Sequence, residues 1–259
     1  MKKIILCCLL LLSFSSTQAR VQNQYTSVKS PSDILKNTLS LLYYKRDFLR
    51  LSEDLNAYDQ SYHKISKAEF LKKLMTGNYL PLRLTEENNN LHSYKLFKLN
   101  HSINNDIRHI IKNWASDYYK NYGYEGQKLP AFSFTDLNNK IYNAGTTSGK
   151  IFVIKCWFIN CHACIEEIPA LNNLVRIYRK RKDIVFLSLA FDPENDLRSF
   201  LKTTRFDYAI AHVSENYMEN NLKVAVFPTH FIINKKGIIK KAVNDPGELI
   251  AALNKEALK

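Results

Sequence analysis

Lys155-Cys156-Trp157-Phe158-Ile159-Asn160-Cys161-His162-Ala163-Cys164 is the stretch on which the fold turns. A continuous apolar run from Ile151 to Phe158 leads into it, and Ile165 to Tyr178 follows with the apolar spacing of a helix. The two cysteines therefore fall where a buried strand ends and a helix begins. Unpaired N–H groups and the positive end of the helix dipole at such a junction favour a thiolate over a thiol. This predicts Cys161 as the more exposed nucleophile. Cys164, one helical turn on and more buried, can reach the same sulfur and release a mixed disulfide, and the two-residue spacer brings the sulfurs within bonding distance.

A lone Cys-x-x-Cys is also half of a structural zinc site, but this chain has no second such pair to complete one. The strand-then-helix context favours redox chemistry. Cys156, a third thiol inside the strand, reads as a small buried hydrophobe, and Trp157 as core packing beneath the site. His162 sits directly beside the nucleophile, where an imidazolium would favour the Cys161 thiolate; exposure to solvent makes it a tuner rather than a participant.

Downstream, Ile184 to Phe191, Tyr208 to Val213, Thr229 to Ile233 and Ile238 to Val243 read as strands. Leu197 to Lys202 and a segment after Pro246 read as helices. Strand-helix-strand order predicts an α/β layered fold with a parallel element.

The segment Lys155 to Cys164, with Glu166-Glu167-Ile168-Pro169 behind it, resembles the active-site segment of the TlpA/ResA-like thioredoxin family. Phe227-Pro228-Thr229-His230 is similar to that family's proline loop, Pro130-Ala131-Phe132 to its domain entry, and Asn234-Lys235-Lys236-Gly237 to its hairpin turn. The resemblance spans 126–259, roughly half of the chain. It implies a three-layer thioredoxin-like domain and a thiol-disulfide oxidoreductase without a cofactor, with Cys161 and Cys164 as its dithiol. It further implies a cis Phe227-Pro228 bond beside the cysteines, a proline that keeps metal from the thiols, and neighbouring backbone, with Phe227 and Thr229, that meets the bound substrate strand. Glu167 matches a family glutamate that handles protons. A reductant role, sustained by a membrane electron donor, is also implied by the resemblance alone.

Three residues depart from the family pattern. Ala163 stands where proline is common, His162 adds a titratable group, and Lys155 occupies a buried strand position where thioredoxins carry an acid. Burying a lysine is costly unless a carboxylate meets it. Glu167, about one turn past Cys164, is the candidate partner; the alternative is that Lys155 snorkels its amine to the sheet edge.

Residues 20–125 read as a mostly helical N-terminal region of unknown role. Helical spacing begins at Pro31-Ser32-Asp33 and carries Ile34 to Leu49. Ser66 with Glu69 forms a capping-box pattern, Phe70, Leu71 and Leu74 give an apolar face, and Gly77 stops the helix. Leu80-Pro81 breaks the pattern, Asn88-Asn89-Asn90 reads as a turn, Tyr94 to Leu99 as a short strand, and Ser102 to Gly123 as another helix. His63, His92, His101 and His109 lack the i, i+4 spacing of a helical metal site and read as surface residues.

The chain opens as an export signal: Lys2-Lys3, an apolar run from Ile4 to Leu12, then Thr17-Gln18-Ala19 as a cleavage site, making 1–19 a signal peptide. The run is too short for a membrane span, which takes roughly 20 residues. Cleavage removes Cys7 and Cys8 and leaves three cysteines, too few for a stapling framework. A periplasmic or cell-envelope location follows, with disulfide-containing exported proteins as partners. The formal charge of +13 would suggest nucleic acid, but export sets that aside in favour of anionic surfaces or acidic partners. Two other classes fit the same residues: a copper or zinc metallochaperone using Cys161, Cys164 and His230, and a partner-binding module with secondary redox activity. A peroxidase lacks its threonine, since Phe158 stands at that place.

Overall fold

A computed structural model describes residues 26–85 and 91–258. The signal-peptide segment, with Cys7 and Cys8, and the Asn88-Asn89-Asn90 turn lie outside the described residues. The chain divides into two compact units, Met1–Tyr119 and Lys120–Lys259. The long helix Asn105–Tyr124 runs across that division. No helix among the described residues is long and apolar enough to cross a membrane.

In the first unit helices supply most of the regular structure: Pro31–Ile34, Thr38–Phe48, Lys67–Leu74 and most of Asn105–Tyr124. Ser66 caps the helix Lys67–Leu74 as its pattern predicts, accepting from the Glu69 N–H at 3.1 Å. Gly77 ends the run with φ +71° and lies against the Arg108 carbonyl, a conformation and an approach that suit a residue without a side chain. Beside the helices stands a four-stranded sheet in the order β2-β1-β4-β3, built from β1 (Leu55–Tyr58), β2 (Lys64–Ile65), β3 (Tyr79–Arg83) and β4 (His92–Lys98). Of these the sequence announces only β4. Leu80-Pro81, expected as a break, instead lies inside β3. The reason is position: β3 is an edge strand, where a residue without an N–H interrupts no central ladder.

The second unit opens with the hairpin β5 (Ser133–Thr135) and β6 (Ile141–Asn143). Five further strands follow: β7 (Ile151–Trp157), β8 (Ile184–Ala190), β9 (Ala209–His212), β10 (Thr229–Ile233) and β11 (Ile239–Val243). They form one sheet in the order β11-β10-β7-β8-β9. β7 and β8 are parallel, as are β8 and β9, while β10 runs antiparallel to β7 and β11 antiparallel to β10. Every residue of β7 is buried, as a central strand covered on both faces requires.

Alternation along β7 sends Val153, Lys155 and Trp157 to one face and Phe152, Ile154 and Cys156 to the other. The first face packs with Leu171, Leu174, Leu197, Leu249 and Leu253 from the helices Ile168–Tyr178, Glu194–Thr203 and Pro246–Ala257, and with both active-site cysteines. The second packs under Phe134 and Tyr142 of the hairpin and under Met218 and Leu222, at and just after the π-helical turn Tyr217–Asn221. Helices, sheet and this second cover make the three layers of a thioredoxin-like domain.

Candidate active site

Cys161 closes the loop after β7 and is the N-cap of the short helix His162–Glu166. Its sulfur accepts the Cys164 N–H at 3.2 Å, one of the orphan donors that every helix start presents. Cys161 and Cys164 form a disulfide with their Cα atoms 5.2 Å apart, within the range that such a bond spans. Cys161 keeps 7% of its surface exposed and Cys164 none, the order expected of an attacking and a resolving cysteine. The loop is pinned from outside as well, since Asp192 Oδ2 accepts the Ile159 N–H at 2.9 Å.

Beneath the disulfide lies a buried charged cluster. Lys155 is closed to solvent, and its ammonium sits 2.9 Å from Glu167 Oε1 and donates to the Cys164 carbonyl at 2.6 Å. The snorkelling alternative is thereby replaced by the ion pair. Glu167 also faces His230, whose Nε2 lies 3.1 Å from Oε1 and 3.2 Å from Oε2. Strand register brings the third member in: His230 is the cross-strand partner of Lys155 between β10 and β7, so both side chains leave the same face of the sheet.

Burial is the largest influence on Glu167 and pushes its pKa up, but the hydrogen bond and charge of His230 and the pairing with Lys155 outweigh it and hold the carboxyl below the usual range. For Lys155 burial wins over the pull of Glu167, and the ammonium pKa falls below its ordinary value. The Lys155 ammonium also rests 5.2 Å from the Phe206 ring centre and 5.5 Å from that of Trp157, contacts that favour a cation. Trp157 itself is fully buried against Phe200 and Phe206. Tyr208, buried nearby, has its phenol pushed far up by burial, with the Glu167 charge adding to the effect.

The Phe227-Pro228 bond is cis. Phe227 packs edge-on to Phe158 at 5.4 Å and against Phe191 at 5.9 Å, and Phe158 and Phe191 stack at 5.1 Å, so three half-buried rings stand beside the Cys161 loop. Thr229 starts β10 opposite Cys156 and donates its hydroxyl to the Val226 carbonyl at 2.6 Å. Asn244, which carries no motif signal, donates to the Pro228 carbonyl at 2.7 Å and to Thr229 Oγ1 at 2.8 Å. Asp192 is another member that sequence patterns did not single out, and His230, read there as a metal ligand of the metallochaperone alternative, is here the partner of Glu167.

His162 is exposed, with its ring 3.0 Å from Glu166 rather than over a sulfur. Cys156 lies on the opposite face of the sheet from the disulfide, fully buried, and burial pushes its thiol far up. His230 is committed to Glu167, and the described residues hold no group of three or more His, Cys, Asp or Glu side chains placed to bind a metal ion.

Residues 125–242 match the model of the AhpC/TSA family. The chain is similar to the thioredoxin-like protein YneN of Bacillus subtilis, 26% identical over 118 residues that cover 45% of this chain and 69% of that protein. It is likewise similar to the thiol-disulfide oxidoreductase ResA of Geobacillus kaustophilus, 25% identical over 118 residues, covering 46% and 68%. Among solved structures it aligns with a putative thiol:disulfide interchange protein DsbE from Chlorobium tepidum, at 20% identity and a TM-score of 0.46, over 52% of this chain and 95% of that one.

Proposed function

We infer that this chain, a thioredoxin-like thiol-disulfide oxidoreductase, acts outside the cytoplasm, where it reduces or exchanges disulfides of exported proteins through Cys161 and Cys164. The observation that carries the reading is the placement of Cys161: N-cap of a helix, sulfur facing the Cys164 N–H, and the more accessible of the two sulfur-bearing residues.

In the reduced enzyme the Cys161 thiolate attacks a substrate disulfide, forms a mixed disulfide and expels one substrate thiolate. Cys164 then attacks the Cys161 sulfur, the second substrate thiolate leaves, and the enzyme disulfide forms. A membrane electron donor returns the pair to the dithiol. Export rests on the Lys2-Lys3 and Ile4-to-Leu12 pattern, and the N-terminal unit is available for partner recognition.

An insulin-type disulfide reduction assay on wild type and Cys161→Ser tests the chemistry: the variant should lose turnover, and a variant as active as wild type sinks the proposal. The reduction potential separates the direction of flow. A value near that of thioredoxin, about −270 mV, fits a reductant, whereas one near about −120 mV makes the protein an oxidant. Fractionation of cells carrying the full chain or a chain without residues 1–19 tests export.

A further inference from the structure

The buried Lys155-Glu167-His230 cluster is more than one ion pair requires. A single carboxylate faces both a lysine ammonium and an imidazole, all three are closed to solvent, and Lys155 ties them to the turn that carries Cys164. Closing charges away from water is expensive, so a cluster with an additional ionisable member calls for a use.

The hydrogen-bond arrangement indicates that use. His230 Nε2 faces both oxygens of Glu167, and opposite an ionised carboxylate that nitrogen carries the hydrogen. The other ring nitrogen, Nδ1, is buried and has no hydrogen-bond partner. A carboxylate that fixes one ring nitrogen as donor leaves the other as a base and stabilises the imidazolium that results, the same division of labour as in carboxylate–histidine pairs of hydrolases. Glu167 is the weaker base of the two, because its hydrogen bond to His230 and its pairing with Lys155 hold its carboxyl below the usual range.

We propose that His230 accepts the proton of the Cys164 thiol when the mixed disulfide is resolved, with Glu167 and Lys155 as positioning residues. The proposal rests on the dithiol reading above and deepens it. In this step the Cys164 S–H bond breaks and its proton passes to His230 Nδ1. The sulfur forms a bond to Cys161 Sγ, the bond from Cys161 to the substrate sulfur breaks, and the substrate thiolate leaves with the electron pair. The enzyme dithiol is oxidised and the substrate disulfide reduced. The charged groups facing His230 are Glu167 from the end of the active-site helix and Lys155, its cross-strand neighbour on β7, while Tyr208, before β9, lies within range of the Glu167 charge.

The test uses the reduced full chain and the chromogenic bis(nitrobenzoate) disulfide, which reports attack by Cys161 as a first nitrobenzoate thiolate release and resolution by Cys164 as a second. In His230→Gln, which keeps a polar side chain for Glu167 but has no basic nitrogen, the second release should slow about 100-fold relative to the first, the lower range for loss of a general base. The ionisation that shapes its pH profile should vanish. A profile that keeps that ionisation, or an unchanged ratio of the two rates, overturns the proposal.

Ring NMR of His230 in otherwise native protein guards against misfolding of the variant. Its titration in the reduced wild type should differ from that in reduced Cys164→Ala, and identical curves overturn the proposal. Failure of the wild type to reduce insulin would instead remove the substrate reading and leave this step intact.

Discussion

Lys155 Nζ lies 2.9 Å from Glu167 Oε1 with both side chains closed to solvent, so neither residue can lose the other without leaving a charge in the core. Lys155→Met should destabilise the second unit by about 3–5 kcal/mol, the usual cost of breaking a buried pair from one side. Adding Glu167→Gln should recover part of that loss, because the uncompensated carboxylate is then gone. Urea unfolding of the two single variants and the double variant measures the coupling. Additive losses would show that the two side chains do not stabilise one another. The same Lys155→Met change should slow release of the mixed disulfide.

The Glu167 carboxyl, held below its ordinary range in the folded chain, sets a pH dependence whose sign is fixed. A depressed folded pKa means that the unfolded chain binds the proton first as pH falls. The stabilisation is therefore full above the unfolded carboxylate value, about 4.3, and disappears as pH drops through the folded value. Lys155, also depressed, has the complementary sign: its buried charge costs stability at neutral pH, and the cost is relieved as pH rises through its lowered value. Unfolding free energy should thus decline on acidification below about pH 4 more steeply in wild type than in Glu167→Gln. Parallel acid limbs for the two proteins would remove Glu167 from the account.

Thiol accessibility gives an ordering that can be read by mass spectrometry. In the reduced folded protein Cys161 should alkylate first and Cys164 later, while Cys156 stays unmodified until the chain unfolds. Burial withholds the Cys156 thiolate twice over, by excluding the reagent and by raising the thiol pKa. Early modification of Cys156 would require an opening of the second cover, the Tyr217–Asn221 turn included.

What the sequence disclosed about this site follows from how local each feature is. The strand-to-helix step at Cys161 lies in ten consecutive residues, and apolar periodicity alone located β7, β8, β10, β11 and the helices around them. The Lys155-Glu167 contact was legible because an apolar strand cannot bury a lysine unaided. His230 and Asn244 were not legible in their roles. His230 reaches Glu167 through the register of β10 against β7, and Asn244 reaches Pro228 from the far end of β11; neither alignment is encoded in a short motif. In the N-terminal unit β1 and β2 are too short to show alternation, and β3 was hidden by Pro81, which reads as a breaker unless the strand is known to be an edge.

Asn244 supplies the last expectation. Its side-chain amide donates at 2.7 Å to the Pro228 carbonyl and at 2.8 Å to Thr229 Oγ1, and its own oxygen accepts from Asn121 Nδ2 at 2.5 Å, which orients the amide. Asn244→Ala removes both donors and leaves a carbonyl on a buried residue without them, a loss of about 1–3 kcal/mol. The loop from Phe227 to Thr229 borders the Cys161 segment through the Phe158–Phe227 contact, so its looseness should be felt where a substrate chain lies rather than at the sulfurs. Asn244→Ala should therefore raise KM for insulin several-fold while altering the reaction with a small aromatic disulfide little, because the small reagent needs only the Cys161 sulfur. Asn244→Asp separates the hydrogen-bond role from packing: it keeps the volume, loses the amide donors, and should behave like the alanine variant. If Asn244→Asp instead kept wild-type KM, the amide donors would not be what holds the loop for substrate.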